Sequence, residues 1–167
     1  LEHKFPELRV LFIKKADELI NNMTGLSRKL LEYRENGHKL IYKLTDIFLL
    51  SSSDKVMVLD SDVLFFNYPQ EITEFINGSG NQDALISGHD GTYDLGLSEY
   101  YSKKYGILEK RADYMNSGII LYNKNKIGQD RLLEYFENTT QTPRSYFVEM
   151  AGWASLISQT KFEFLPK

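Results

Sequence analysis

At 167 residues the chain has the length of one domain, and its 42% apolar and 26% charged residues are the proportions of a globular protein able to build a core. A net charge of −3, with 20 basic and 23 acidic residues interspersed, forms no basic stripe and argues against a nucleic-acid partner. The absence of cysteine excludes disulfides and thiolate metal sites, and no apolar run approaches the roughly 20 residues of a membrane span, so a cytoplasmic protein, free or peripheral to the membrane, is expected.

The first 50 residues read as helices. Leu8, Leu11, Phe12, Leu19 and Ile20 recur at helical spacing after Pro6, with Arg9 to Ile13 as an alternative strand. Leu26, Leu30 and Tyr33 mark a second helix between Gly25 and Gly37, and Leu40, Ile41, Leu44, Ile47 and Phe48 a third. The period then changes. Lys55 to Asp60 is a short apolar run ending in acid, the pattern of a strand buried on both faces, and Val63 to Phe66 continues apolar after it. Pro69 opens a helix to about Ile76, and Asp83 to Ser87 reads as a strand. Gly88 to Asp113 is irregular, a long loop with a short helix around Ser98 to Lys104. A strand from Met115 to Asn123, helices from about Ile127 to Asn138 and Tyr146 to Ser158, and a closing strand from Phe162 to Leu165 complete the chain. Strands alternating with helices predict an α/β architecture, and no linker or repeat divides residues 1–167. The sequons at Asn22, Asn77 and Asn138 are incidental in a chain rich in Asn, Ser and Thr.

Chemistry concentrates at Asp60-Ser61-Asp62. Two carboxylates one residue apart, just past a buried strand, can face one crevice, and open α/β sheets bind ligands at the carboxyl ends of their strands. Hard oxygen donors suit Mg²⁺ or Mn²⁺ bridging the phosphates of a substrate. Two families end an apolar strand this way: haloacid-dehalogenase-like phosphatases, and glycosyltransferases of the GT-A fold. The phosphatase motif normally opens its domain and needs a later Lys and an acidic pair; here three helices precede it and no convincing copy follows.

Residues 41 to 167 resemble glycosyltransferase family 8, the retaining GT-A family that includes bacterial lipooligosaccharide galactosyltransferases and glycogenin. Ile41-Tyr42-Lys43-Leu44 is similar to its Y-x-R-L helix, and Asp54 to Leu64 follows its D-K-V-L-Y-L-D-x-D-V-L strand. Tyr114 to Asn123 is similar to its F-N-A-G-V-L-L-I-N strand, and Lys161 to Pro166 to its closing strand. The resemblance implies a Rossmann-like GT-A fold with a mixed central sheet. It further implies a metal-dependent hexosyltransferase moving a sugar from a nucleotide-diphosphate donor, commonly UDP-linked, to a hydroxyl acceptor such as a glycan, with retention. Asp60 and Asp62 would hold the metal. Lys43 would lie by the donor phosphates, where the family's Arg fork is lost. Ser61, Asn116 and Gly118 would complete donor binding, Asn116 toward the sugar and Gly118 by close backbone approach.

The departures are specific. Where the family carries D-Q-D on its late helix, this chain has Val148-Glu149-Met150, leaving Glu149 to support the transition state unless it is an ordinary exposed helix acid. Asp90 matches an acidic residue of the acceptor pocket, or belongs to a plain Asp-Gly turn. His89 could replace a missing third metal ligand, or be a neutral loop histidine. Neither the family's base-binding strands nor that later His is legible, so a longer parent protein is expected. A non-catalytic sugar-nucleotide or carbohydrate binder is the alternative.

Overall fold

A computed structural model describes residues 9–89 and 114–166 of the chain. Three helices come first: α1 (Ile13–Asn21), α2 (Arg28–Asn36) and α3 (Ile41–Leu50). Then follow β1 (Lys55–Leu59), α4 (Gln70–Asn77), β2 (Ala84–Gly88), β3 (Met115–Asn123), α5 (Gln129–Asn138), α6 (Val148–Ile157) and β4 (Phe162–Phe164). Arg9 to Phe12 are neither helix nor strand, because the helix begins only at Ile13.

The described strands form one mixed sheet in the order β1-β3-β2-β4. β3 pairs antiparallel with β1 and β2, and β4 joins β2 in parallel. The chain is therefore α/β, as its alternating pattern predicts, and its described sheet is mixed.

Side-chain alternation divides the sheet into two faces. Ala84, Ile86, Ile120 and Tyr122 point into the main core, with Leu44 and Phe48 of α3, Leu132 and Phe136 of α5, and Trp153 of α6. Leu85 and Leu121 point the other way, onto Ile72 and Phe75 of α4. Tyr122 stands between Phe48, with stacked rings 5.9 Å apart, and Trp153, at 5.2 Å. Large rings packed in this way account for much of the buried area.

All ten residues of α6 are buried, the pattern of a helix enclosed on every side. Gly152 permits this: a Cβ there would overlap Leu44 Cδ2 and stand 3.1 Å from Tyr135 Cε1. Tyr135 also donates a hydrogen bond to the Val148 carbonyl at 2.6 Å, fixing the start of the helix.

The first three helices are tied by charge. Arg34 on α2 is buried, bonding Asp46 of α3 through two nitrogens at 2.8 and 2.9 Å and Asp17 of α1 at 2.5 Å. Burial pulls the guanidinium pKa down, but the two carboxylates outweigh it and the net direction is up. At the other sheet face, Lys55 opens β1 and donates to the Phe75 and Ile76 carbonyls, capping the end of α4. Gly78, with φ +76°, then turns the chain out of that helix, a conformation that costs glycine little.

One strand departs from its sequence pattern. β1 is predicted to be buried on both faces, but it lies at the edge of the described sheet and alternates: Val58 is buried while Met57 and Leu59 are exposed. Its apolar residues face the core on one side only. Nor does the apolar run after Asp62 prolong the strand; Val63 to Tyr68 is irregular, bending at Phe66 and Asn67, with Leu64, Phe66 and Tyr68 outward.

Candidate functional site

The site forms where β1 ends beside an irregularity in β3. Pairing of β2 with β3 is regular through Ile86 and Ile120, then jumps so that Ser87 faces Asn116. The residues left over bulge out of the ladder, a local kink that re-aims side chains. The Ser87 hydroxyl holds the bulge from both sides, donating to the Asn116 carbonyl at 2.8 Å and accepting from Ile119 N–H at 3.1 Å. The Asn116 side-chain oxygen accepts from Gly118 N–H at 2.7 Å, and the Gly118 carbonyl accepts from Asp60 N–H at 2.9 Å. Asp60 is thereby fastened directly to the bulge.

Lys43 reaches this corner from the first turn of α3. Its ammonium lies 2.6 Å from Asp60 Oδ1, donates to the Ser117 carbonyl, and stands 3.8 Å from Glu149 Oε1. Glu149, in the first turn of α6, is only 2% exposed. Its Oε2 accepts from the Ser117 hydroxyl at 2.9 Å, while Oε1 has no hydrogen-bond partner. Together Lys43, Asp60, Asn116, Ser117 and Glu149 line a cavity of about 150 Å³, closed by Leu40, Phe147 and Met150.

Burial pushes the Glu149 carboxyl up to about 7; the Lys43 charge and the Ser117 hydroxyl pull it back, and Asp60 adds to the rise. The Trp153 indole N–H also favours the ionised form, without meeting the carboxylate in hydrogen-bond geometry. An acid poised near neutrality can hold or release a proton, and Oε1, the oxygen without a hydrogen bond, is free of the Ser117 hydroxyl. The exposed-acid alternative for Glu149 is thus overturned: α6 is enclosed from its first turn.

The sequence-predicted residues divide accordingly. Lys43, Asp60, Asn116 and Glu149 come together in the cavity, and Gly118 sits behind it. Ser61 and Asp62 stand exposed in the turn closed by Val63 N–H to the Asp60 carbonyl, outside the cavity lining. His89 follows β2 and lies outside the cavity lining, its N–H on the Tyr114 carbonyl at 2.8 Å. Asp90 and the helix expected at Ser98 to Lys104 lie outside the described residues. Two residues escape the sequence reading: Ser117, which joins Lys43 to Glu149, and Ser87, which shapes the bulge. A serine ending an apolar strand and one inside an Asn-Ser-Gly run were the available signals.

Asp60 and Asp62 offer hard oxygen donors at one turn, Asp60 with its Oδ1 on Lys43. That donor set fits a Mg²⁺- or Mn²⁺-type ion, which takes one or two carboxylates and fills its remaining positions with phosphate oxygens and water. Among the described residues no group of three or more His, Asp or Glu gathers around a common point. No described helix is long and apolar enough to cross a membrane. Comparison with protein-family models, curated proteins and solved structures finds no match to the chain.

Proposed function

We propose that the chain is the catalytic part of a GT-A-type, metal-dependent glycosyltransferase that transfers a hexose from a nucleotide-diphosphate donor, of UDP-sugar type, to a hydroxyl acceptor. One observation carries the reading: a lysine, two acids and a strand bulge from four separate elements converge on one polar cavity at the carboxyl end of β1. Plain packing does not require a buried carboxyl with an unpartnered oxygen beside an ammonium.

Asp60 and Asp62 would hold the divalent ion, which when bound supplies Lewis-acid charge to a diphosphate leaving group. Lys43 adds positive charge where the departing phosphate becomes more negative, and Asp60 keeps that ammonium in place until phosphate competes for it. Glu149 orients the Ser117 hydroxyl, which lines the cavity with it, and its carboxyl holds or gives up a proton beside Lys43. Asn116 steadies the bulge and lines the cavity, so much of the acceleration is positioning.

Calorimetric titration with UDP, with and without Mn²⁺, followed by assay of donor-sugar hydrolysis, tests the reading. Metal-promoted UDP binding with slow release of free sugar is expected. No UDP binding in the presence of metal, or unchanged metal-promoted binding in an Asp60→Asn/Asp62→Asn double variant, would overturn it.

A further inference from the structure

A second depression, apolar and about 360 Å³, opens at the ends of β2 and β4 between Gly88, His89, Tyr114, Ile119 and Phe164. Ile119, Leu165 and Pro166 also bound a further depression of about 290 Å³ beside the chain that follows Asp62, so the two adjoin along one trench. Leu64, Phe66 and Tyr68 stand along that end at 74, 90 and 75% exposure. Large apolar side chains clustered in solvent mark a binding face.

The trench meets the polar cavity at Gly118. A Cβ there would lie 3.8 Å from Asp60 Oδ2 and equally 3.8 Å from Ser87 Oγ, one a cavity residue and the other a trench residue. The two therefore lie on either side of the β3 bulge, with Gly118 and the Asn116 side chain between them. Among the described residues no Lys or Arg lines the trench, Glu71 at the far end is the carboxylate, Asn67 and His89 are the other polar side chains besides the tyrosines, and the Ser87 hydroxyl is committed to the bulge. Such walls offer little to a free sugar or a polyphosphate and much to hydrocarbon.

We infer that the trench binds the apolar portion of an amphipathic acceptor, an alkyl or aryl aglycone whose hydroxylated end is directed past Gly118 toward Asp60. This rests on the transferase reading for its acceptor role. The test is calorimetric titration with octyl and methyl glucoside, below the micelle concentration of the former. The same titrations are run on Phe66→Ser and Leu64→Ser, whose exposed positions leave the core intact. Octyl glucoside binding at least about tenfold tighter than methyl glucoside, with the advantage lost in the variants, is the expected result. Equal affinity for the two glucosides, or an octyl preference untouched by either substitution, would overturn the assignment. So would a wild-type dimer that Phe66→Ser dissolves, which would give the face to a second copy of the chain. UDP titrated with Mg²⁺ into the same preparation reports on the donor site alone: its failure sinks the transferase reading, and the glucoside comparison still decides what the trench binds.

Discussion

Lys43 and Asp60 meet at 2.6 Å across the mouth of the cavity, tying the helix before the first strand to the turn after it. Lys43→Met removes that tie and the bond to the Ser117 carbonyl. A stability loss of about 1–2 kcal/mol is expected by chemical denaturation, with UDP affinity lower by at least about tenfold. Because Lys43 holds the Glu149 pKa down, the same substitution raises it further, measurable as an upward shift in the carboxyl's titration.

Glu149 gives the protein a distinctive pH dependence. Its folded-state pKa is raised to about 7 from an ordinary value of 4.5, so below that ordinary value the protonated acid costs the fold nothing. As pH rises toward 7 the unfolded chain releases this proton and the folded chain retains it, and stability falls by up to about 3 kcal/mol. Glu149→Gln removes this slope: its melting temperature should vary less between pH 5 and 8 than that of the parent. An equal slope in both proteins would place Glu149 outside the titration.

Asp60→Asn and Asp62→Asn separate binding from folding. Asp62 is exposed in a turn, so its substitution should change stability by less than about 0.5 kcal/mol. Either variant should nevertheless weaken the Mg²⁺-dependent part of UDP binding, measured as the difference between titrations with and without metal.

Gly118→Ala tests the bulge. The new Cβ would stand 2.9 Å from Asn116 Oδ1, the atom that accepts from Gly118 N–H, and that oxygen is tied down. A cost of about 1–3 kcal/mol is expected, with weakened ligand binding, because the same residue carries the carbonyl that anchors Asp60.

Gly152→Ala is the control for packing without chemistry. Overlap with Leu44 and crowding of Tyr135 should cost about 1–3 kcal/mol in denaturant titration. UDP affinity of the folded fraction should remain within about twofold, since Gly152 does not line the cavity.

The elements were legible in the sequence to the extent that their burial is one-sided and periodic. The Met115–Asn123 strand matches its apolar run, and α4, α5 and α6 lie within two residues of their predicted bounds. Pairing was not legible: that β1 sits at the edge of the described sheet depends on partners far along the chain, and an apolar run reads alike in the middle of a sheet and at its edge. Among the candidate residues, Lys43, Asp60, Asn116 and Glu149 are brought together as one cluster. The burial of Glu149 was hidden because an acid in a first helical turn usually faces water, and only the enclosure of α6 reverses this. Ser87 and Ser117 were hidden for a different reason. Their roles arise from the register jump between β2 and β3, which no local spacing announces.

The enclosure of α6 also makes the cavity mechanically lopsided. Glu149 belongs to a helix wedged against Leu44 and Tyr135 with no slack at Gly152, so that wall cannot yield without disturbing the core. Lys43 and Asp60, by contrast, line the cavity with a long side chain and a residue at the start of an exposed turn. Accommodation of differently sized ligands therefore falls to Lys43 and Asp60, with the buried acid as the fixed reference point against which a bound group is registered.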